Sequence, residues 1–345
     1  MTEDARRAVT MADVAQAADV SVKTVSNVLA DHPQVRAGTR DRVLAAVAAL
    51  GYRVNPFASR LRSGRTGVIA FALPHLYQPY FGDVAERVIA EGEQRGYSVV
   101  IEPTDALAAR ERAVLSGARS QQVDGAILSP AALGVTDLQG LRVEGPVVLL
   151  GARLDAPPAD QVVMDDRGAS RTAVEHLLAS GRRRIAAVGT TPDGGSADLR
   201  EAGYRDALAA HGVPVDDALL LDAPDWDRRA SGAAAAVRLL ASGVPFDAVF
   251  CFNDAMAFGV LRVLASRGLR VPDDVAVVGF DNTEQSRFST PPLTSVDPGQ
   301  EQIARAAVEL LVRRIEGREG APEVVVAEHH LEVRESSGGP RTPVA

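Results

Sequence analysis

The sequence predicts an all-α helix-turn-helix head followed by an α/β body of two lobes, each a parallel sheet with helices on both faces. Three observations lead there. Residues 10–29 read as two short helices around a tight turn. From Thr66 the pattern changes to apolar strands alternating with helices, and that series runs twice. Charge divides at the same place: residues 1–65 hold ten Lys/Arg against six Asp/Glu, net +4, leaving −12 on the remainder of a chain whose total is −8. A length of 345 residues leaves room for more than one domain, and 46% hydrophobic content supplies large cores.

Thr10 is placed to cap a first helix with Val14, Ala15 and Ala18 inward. Asp19-Val20 forms the turn, and Ser21 caps a second helix with Val25 and Leu29 inward. Val22, Lys23, Ser26 and Asn27 are then left facing outward near the N-terminus of that helix. A helix-turn-helix presents this part to the DNA major groove. Two helices of an ordinary bundle give the same pattern, so the next residues decide. Thr39-Arg40-Asp41-Arg42 opens a third helix with Val43, Val47 and Leu50 at helical spacing, and Gly51 stops it.

Three ordered motifs occupy this head. T-x-x-D-V-A-x-x-A-x-V-S-x-x-T-V-S starts at Thr10, V-x-x-x-T-R-x-R-V runs from Val35 to Val43, and G-Y-x-x-N runs from Gly51 to Asn55. Together they resemble the LacI/GalR family of bacterial repressors. The resemblance implies a homodimer that binds a palindromic operator in double-stranded DNA and answers to a small-molecule effector. Two reading heads suit a two-fold site. The DNA contacts implied are Thr10, Ser21, Val22, Lys23, Thr24, Ser26 and Asn27 in the head. Asn55, Arg60, Leu61 and Arg62 follow, with Arg65 beyond. Lys23 suits guanine, Asn27 adenine and Val22 a thymine methyl. Ser21, Thr24 and Ser26 suit phosphates. Residues 55–65 are expected to be a hinge helix too short to hold alone, folding on DNA with Leu61 wedged into the minor groove.

The body begins with the apolar strand 67–73, and strands follow at 97–101, 125–128 and 147–150 with helices near 81–96 and 108–120 between them. The cycle restarts past Asp165. Helices are expected at 168–180, 200–211, 229–242 and 255–267, with strands at 184–188, 219–221, 248–252 and 275–280. Such lobes bind ligands at the carboxyl ends of their strands, in the cleft between them. The pattern is similar to the periplasmic-binding-protein type I fold, the effector domain of that family, in which the chain crosses three times between lobes. The crossings are placed near Val163, Ser295 and Ala321. The domains are then 1–54, a hinge at 55–65, an effector and dimerisation body at 66–335, and a disordered tail at 336–345 without leucine heptads.

Four features of the body carry the effector expectation. Asp281, in Gly279-Phe280-Asp281-Asn282, stands where a strand ends, and its carboxylate can accept from ligand hydroxyls. Asn253, in Asn253-Asp254-x-Met256-Ala257-x-Gly259, sits at the neighbouring strand end. Arg200, in Arg200-x-x-Gly203-Tyr204, offers a rigid fork of donors. Trp226 is the one tryptophan, in a polar loop, and can stack on a ring. By residue type alone Asp281 and Asn253 can equally be helix caps, Arg200 an ion-pair partner and Trp226 a rim residue. The resemblance implies that Arg200, Asp281, Asn253 and Trp226 are effector ligands, and adds Tyr80 and Phe81 with Ser129 and Ser196. Gly151 departs from the sugar-binding members, where aspartate is frequent. A sugar or sugar derivative is the expected effector. A purine or other flat metabolite is the alternative.

Enzyme chemistry is not expected. The six histidines are scattered, no G-x-x-x-x-G-K-S/T or strand-linked G-x-G-x-x-G occurs, and Asp165-Asp166 and Asp273-Asp274 look like exposed turns. No cofactor or metal is expected. Cys251, the one cysteine, lies in an apolar run and reads as a buried small residue that cannot form an internal disulfide. The absence of a signal stretch and of a long apolar run points to a cytoplasmic protein without a membrane span. A solute-binding protein of the same fold is a remote alternative, since it would carry a leader and no helix-turn-helix.

Overall fold

Thr10 opens the first helix with a reciprocal cap. Its hydroxyl accepts from the Asp13 N–H at 3.3 Å, and the Asp13 carboxylate accepts from the Thr10 N–H at 2.7 Å. The computed structural model describes residues 9–29, 32–52, 65–117, 122–139, 141–151, 154, 156–191, 195–223 and 228–340. The chain divides between Arg65 and Thr66 into two compact units.

In the first unit, α1 (Met11–Ala17) and α2 (Val22–Leu29) meet at a turn where Asp19 takes a left-handed φ of 51°. The third helix, α3 (Ala37–Leu50), closes a small core of Val14, Ala15, Ala18, Val25, Val28, Val43 and Ala46. Two expectations shift here. Val28, three residues from Val25, is the second buried residue of α2 and leaves Leu29 half-buried. On α3 the core position is Ala46, and Leu50 is 37% exposed.

The second unit holds two lobes. Lobe 1 contains β1 (Val68–Leu73), α4 (Pro79–Gln94), β2 (Ser98–Pro103), α5 (Ala108–Leu115), β3 (Gly125–Leu128), α6 (Val135–Leu138), β4 (Val147–Leu150) and β5 (Asp160–Met164). Lobe 2 contains α7 (Asp166–Ala179), β6 (Ile185–Thr190), α8 (Ser196–Ala210), β7 (Leu220–Asp222), α9 (Arg229–Ser242), β8 (Ala248–Cys251), α10 (Asp254–Ser266), β9 (Ala276–Phe280) and β10 (Thr294–Asp297). The chain then returns to lobe 1 for α11 (Gln300–Ile315) and β11 (Val324–Ala327), and β12 (His330–Glu332) ends in lobe 2.

Sheet order is β11-β5-β4-β3-β1-β2 in lobe 1 and β12-β10-β9-β8-β6-β7 in lobe 2. All pairings are parallel except β10 with β12. Central strands such as β1, β3, β4, β8 and β9 are buried along their whole length, as strands covered on both faces must be. Parallel strands place all their carboxyl ends on one side of each sheet, and the cleft opens there.

The three crossings fall at 164–166, 297–300 and 327–330. The third differs from the place expected near Ala321. Val324–Ala327 pairs with Gln161–Met164 and stays in lobe 1, so the chain leaves only afterwards. The second falls after Ser295 because β10 is itself a strand of lobe 2. The tail expected to be disordered at 336–345 is corrected at its start, and residues 341–345 lie outside the described residues. Ser336 is fully buried, its Oγ donating to Val277 O at 2.6 Å and accepting from Thr294 N at 2.8 Å. Ser337 Oγ pairs with Thr294 Oγ1 at 2.7 Å and His176 Nε2 at 2.7 Å. These small hydroxyls satisfy groups at the edge of β9 and β10 that would otherwise be buried without partners. Among the described residues no helix is long and apolar enough to cross a membrane.

Candidate DNA-reading face and effector cleft

The N-terminus of α2 is formed by Ser21, whose Oγ accepts from the Thr24 N–H at 3.1 Å and lies 2.9 Å from Thr24 Oγ1. The cap orients the first turn. Val22 is 41% exposed and Lys23 is exposed beside it, while Thr24, Ser26 and Asn27 are half-buried. The core side of the helix is Val25 and Val28. An exposed apolar group next to a cation, on a rigid capped helix, suits groove reading better than solvent. Thr10 is engaged within its own capping box. Asn55, Arg60, Leu61 and Arg62 lie outside the described residues.

In the body, Arg200 occupies the second turn of α8, which begins four residues earlier than expected, at Ser196. Its guanidinium is buried. Nε donates to Asp166 Oδ1 at 2.7 Å, Nη1 donates to the Phe252 carbonyl, and the group lies 3.6 Å from the Phe280 ring centroid. Asp281 Oδ1 is 4.0 Å from Nη1, too long for a hydrogen bond. Ser196 Oγ donates to the other Asp166 oxygen at 3.3 Å. Asp166 is 1% exposed, which corrects its reading as an exposed turn residue. It follows β5 as Asp281 follows β9, so the strand-end position was the available signal, and the unrecognised strand hid it.

Asp281 is held by its backbone. Its N–H donates to Val296 O at 2.8 Å and its carbonyl accepts from Gln300 Nε2, while φ values of 107° at Asp281 and 48° at Asn282 turn the chain sharply. Burial raises the Asp281 carboxyl well above the usual range. Arg200 opposes the rise, and Asp254, Asp166 and Asp83 add to it. Beneath it, Asp254 Oδ1 accepts from Ser295 Oγ at 2.6 Å, and Oδ2 accepts from Thr283 N at 2.8 Å and Oγ1 at 3.0 Å. Gly279 leaves the space that the Asp254 carboxylate occupies. Arg334 Nη2 donates to Asn282 Oδ1 at 2.7 Å from behind.

Tyr80, on α4 of lobe 1, reaches the same place. Its hydroxyl lies 4.0 Å from Met164 Sδ. Burial, then the carboxylate of Asp281, disfavours its ionisation, with Asp166 and Asp297 adding to this and Arg200 opposing. Phe81 stands edge-on to Tyr80 at 5.1 Å and packs into the lobe 1 core. The structure thus gathers Tyr80, Ser196, Arg200 and Asp281. Asn253 caps α10, its Oδ1 accepting from Met256 N at 2.8 Å. Ser129 is half-buried past β3, with its N–H on Ala72 O at 2.9 Å. Trp226 lies outside the described residues. Asp166, Asp254 and Gln300 were not anticipated.

Fold and site define a two-lobed ligand-binding body behind a helix-turn-helix unit. The family profile described as "Bacterial regulatory proteins, lacI family" matches residues 10–55, and that described as "Periplasmic binding protein-like domain" matches residues 174–337. The chain is 35% identical to the HTH-type transcriptional regulator CelR of Thermobifida fusca, over 96% of this chain and 99% of that one. A solved CelR–cellobiose complex aligns at 34% identity and TM-score 0.69, covering 95% and 99% of the two chains. The Lac repressor dimer bound to operator and the anti-inducer ONPF aligns at 28% identity and TM-score 0.81, covering 96% and 99%. The protein belongs to the LacI family of bacterial transcriptional regulators and is a DNA-binding regulator.

Proposed function

We propose that the protein is a dimeric repressor that reads a palindromic operator with Val22, Lys23 and Asn27 of α2, in the cytoplasm where its DNA lies. Its DNA affinity is set by a sugar or sugar derivative held between the lobes by Tyr80, Arg200 and Asp281. The observation that carries the effector reading is the buried Asp281 carboxylate, which stands at a strand end facing Tyr80 of the other lobe with Arg200 beyond bonding distance. A relative solved with cellobiose and another solved as a dimer on operator DNA support the two halves of the reading. Phe81, Ser129, Ser196, Asn253 and Trp226 remain proposed effector contacts, and Asn55, Arg60, Leu61 and Arg62 proposed hinge contacts to DNA. The effector acts by biasing the balance between lobe arrangements. A gel shift with the DNA upstream of the protein's own gene, with and without a panel of sugars, tests this. Retarded DNA whose affinity changes with one sugar is expected. DNA binding that no compound alters would remove the effector half.

A further inference from the structure

We infer that the pivot between the lobes is a proton-sensitive joint. When His329 and His330 of the third crossing carry an added proton, they are drawn to carboxylates of the first and second crossings and hold the lobes in the arrangement of this structure.

The crossings at 164–166, 297–300 and 327–330 are the segments whose backbone torsions change when one lobe turns on the other. Two adjacent imidazoles on the third reach the other two. His329 Nδ1 stands 3.8 Å from Asp165 Oδ2 on the first crossing. His330 Nε2 stands 3.9 Å from Asp297 Oδ2 on the second, and 3.0 Å from Glu332 Oε1 on its own strand. The distances to the crossing carboxylates are too long for hydrogen bonds and short enough for charge to act. Both carboxylates are held in place. Asp165 Oδ1 caps α7 by accepting from Gly168 N at 3.0 Å. Asp297 Oδ1 accepts from Gly299 N at 2.7 Å, and its Oδ2 from Asn282 Nδ2 at 3.0 Å.

Thr172 on α7 fixes what neutral His329 presents. Its hydroxyl donates its one hydrogen to Gly168 O at 3.1 Å, so at the 3.2 Å contact with His329 Nε2 it accepts. Neutral His329 therefore carries its hydrogen on Nε2 and turns the bare Nδ1 lone pair toward Asp165, a repulsive pairing. The next proton enters at Nδ1 and makes the pairing attractive. His330 donates Nε2–H to Glu332 in either form, and its added proton places a charge between Glu332 and Asp297.

The other charged groups around the pair are committed elsewhere or exposed. On α7, Arg167 is bonded to Asp206 at 2.6 Å, Arg171 to Glu175 at 2.7 Å, and His176 meets Ser337 Oγ at 2.7 Å. Asp166 holds Arg200. Glu328 precedes the pair, its N–H on Gln302 of α11 at 2.9 Å, where Glu301 and Arg305 are exposed. Arg334 Nη2 lies 3.9 Å from the other Glu332 oxygen. Among the described residues the groups within ion-pair reach of the two imidazoles are thus carboxylates. The sign follows: the tie exists where imidazole is protonated and is lost as pH rises through about 5–8. Where lobe arrangement sets DNA affinity, as proposed above, protonation biases that setting. The joint itself needs neither effector nor DNA, so its failure leaves that reading standing.

Amide hydrogen exchange on the full chain, without ligand and corrected for the intrinsic effect of pH on exchange, tests the joint. Protection over 324–332 should be about 5-fold higher at about pH 5.5 than at about pH 8, the scale of two partly exposed ion pairs. His329→Gln keeps a donor toward Thr172, and Asp165→Asn keeps the α7 cap, so each should lower the ratio to about 2-fold. His329→Gln with His330→Gln should abolish it, while amides of β1 and β8 stay protected as in the parent. Nitrogen NMR of labelled histidine in the parent above about pH 8 should show the Nε2–H tautomer at His329. Equal protection at the two pH values in the parent overturns the joint. So does a difference that survives in the double variant, or an Nδ1–H tautomer at His329.

Discussion

Arg200 is the residue on which the lobe 2 half of the cleft turns. Its charge is buried against Asp166, so the pair cannot be judged by the rules for surface ion pairs. Arg200→Ala strands the Asp166 carboxylate, and the expected cost is about 3–5 kcal/mol of stability, together with loss of effector binding. Urea denaturation of the body checks this. A cost below about 1 kcal/mol would mean that water reaches Asp166. On the other unit, Lys23→Ala should cost about 1–3 kcal/mol in operator affinity and relax the preference at particular base positions. Titration against a set of single-base operator variants reads both, and an unchanged ranking would remove Lys23 from base reading. Asp281 and Arg200 were legible because an acid after an apolar strand and an arginine early in a helix are visible in one dimension. Asp166 was not. Its strand opens with Asp160 and Gln161, which look like loop residues. Both are buried because Arg314 takes Asp160 with two bonds of 2.7 Å and Leu154 N donates to Gln161 at 3.1 Å.

At the scale of elements, two glycines let α9 and α10 touch backbone to backbone. A Cβ on Gly232 would strike the Met256 backbone, and one on Gly259 the Arg229 carbonyl. Gly259→Ala must push the helices apart, for an expected loss of about 1–3 kcal/mol, seen as a lower melting temperature with operator contacts unaltered. An unchanged melting temperature would mean that the helices part freely. Asp254, at the start of α10, gives a pH signature. Burial raises its carboxyl to about 7, against 3.8 in the unfolded chain. The folded state therefore holds a proton that the unfolded state has released, and this stabilisation fades as pH rises through about 7. Asp254→Asn should flatten that part of the melting temperature against pH, and an unaltered slope would assign the effect to another group. Helix α11 was invisible as an element although Ile303, Ala307, Val308 and Leu311 recur at helical spacing. It follows a lobe crossing, and without the sheet it packs on it reads as one more surface helix. The same is true of β11 and β12, whose short polar-flanked sequences become strands only because two sheets offer edges.

Across the whole body the lobes are in contact around the cleft. Burial raises the carboxyl of Asp83 on α4, and the backbone of Glu284 in lobe 2 lies near enough to oppose that rise. At the rim the Arg228 guanidinium stands 5.7 Å from the Tyr77 ring centroid. Both interactions weaken if the lobes part by a few ångströms, since polar and cation–ring attractions fall off with distance. Both therefore favour the arrangement in which Tyr80 faces Asp281 and Arg200. A ligand held by both lobes gains whatever free energy these contacts have already contributed toward that arrangement. Removing one reduces the population able to bind and lowers the apparent affinity by the same factor. Asp83→Ala deletes a half-buried carboxylate that acts across the cleft on the Glu284 backbone, an interaction of about 1 kcal/mol after solvent screening. The expected result is a roughly 5-fold loss of effector affinity by calorimetry and a larger radius of gyration of the unliganded body in solution scattering. Operator affinity measured without effector tells which arrangement represses: it rises if the parted lobes favour DNA and falls if the closed lobes do. Unchanged scattering and unchanged effector affinity would show that the lobes are held by their three crossings alone.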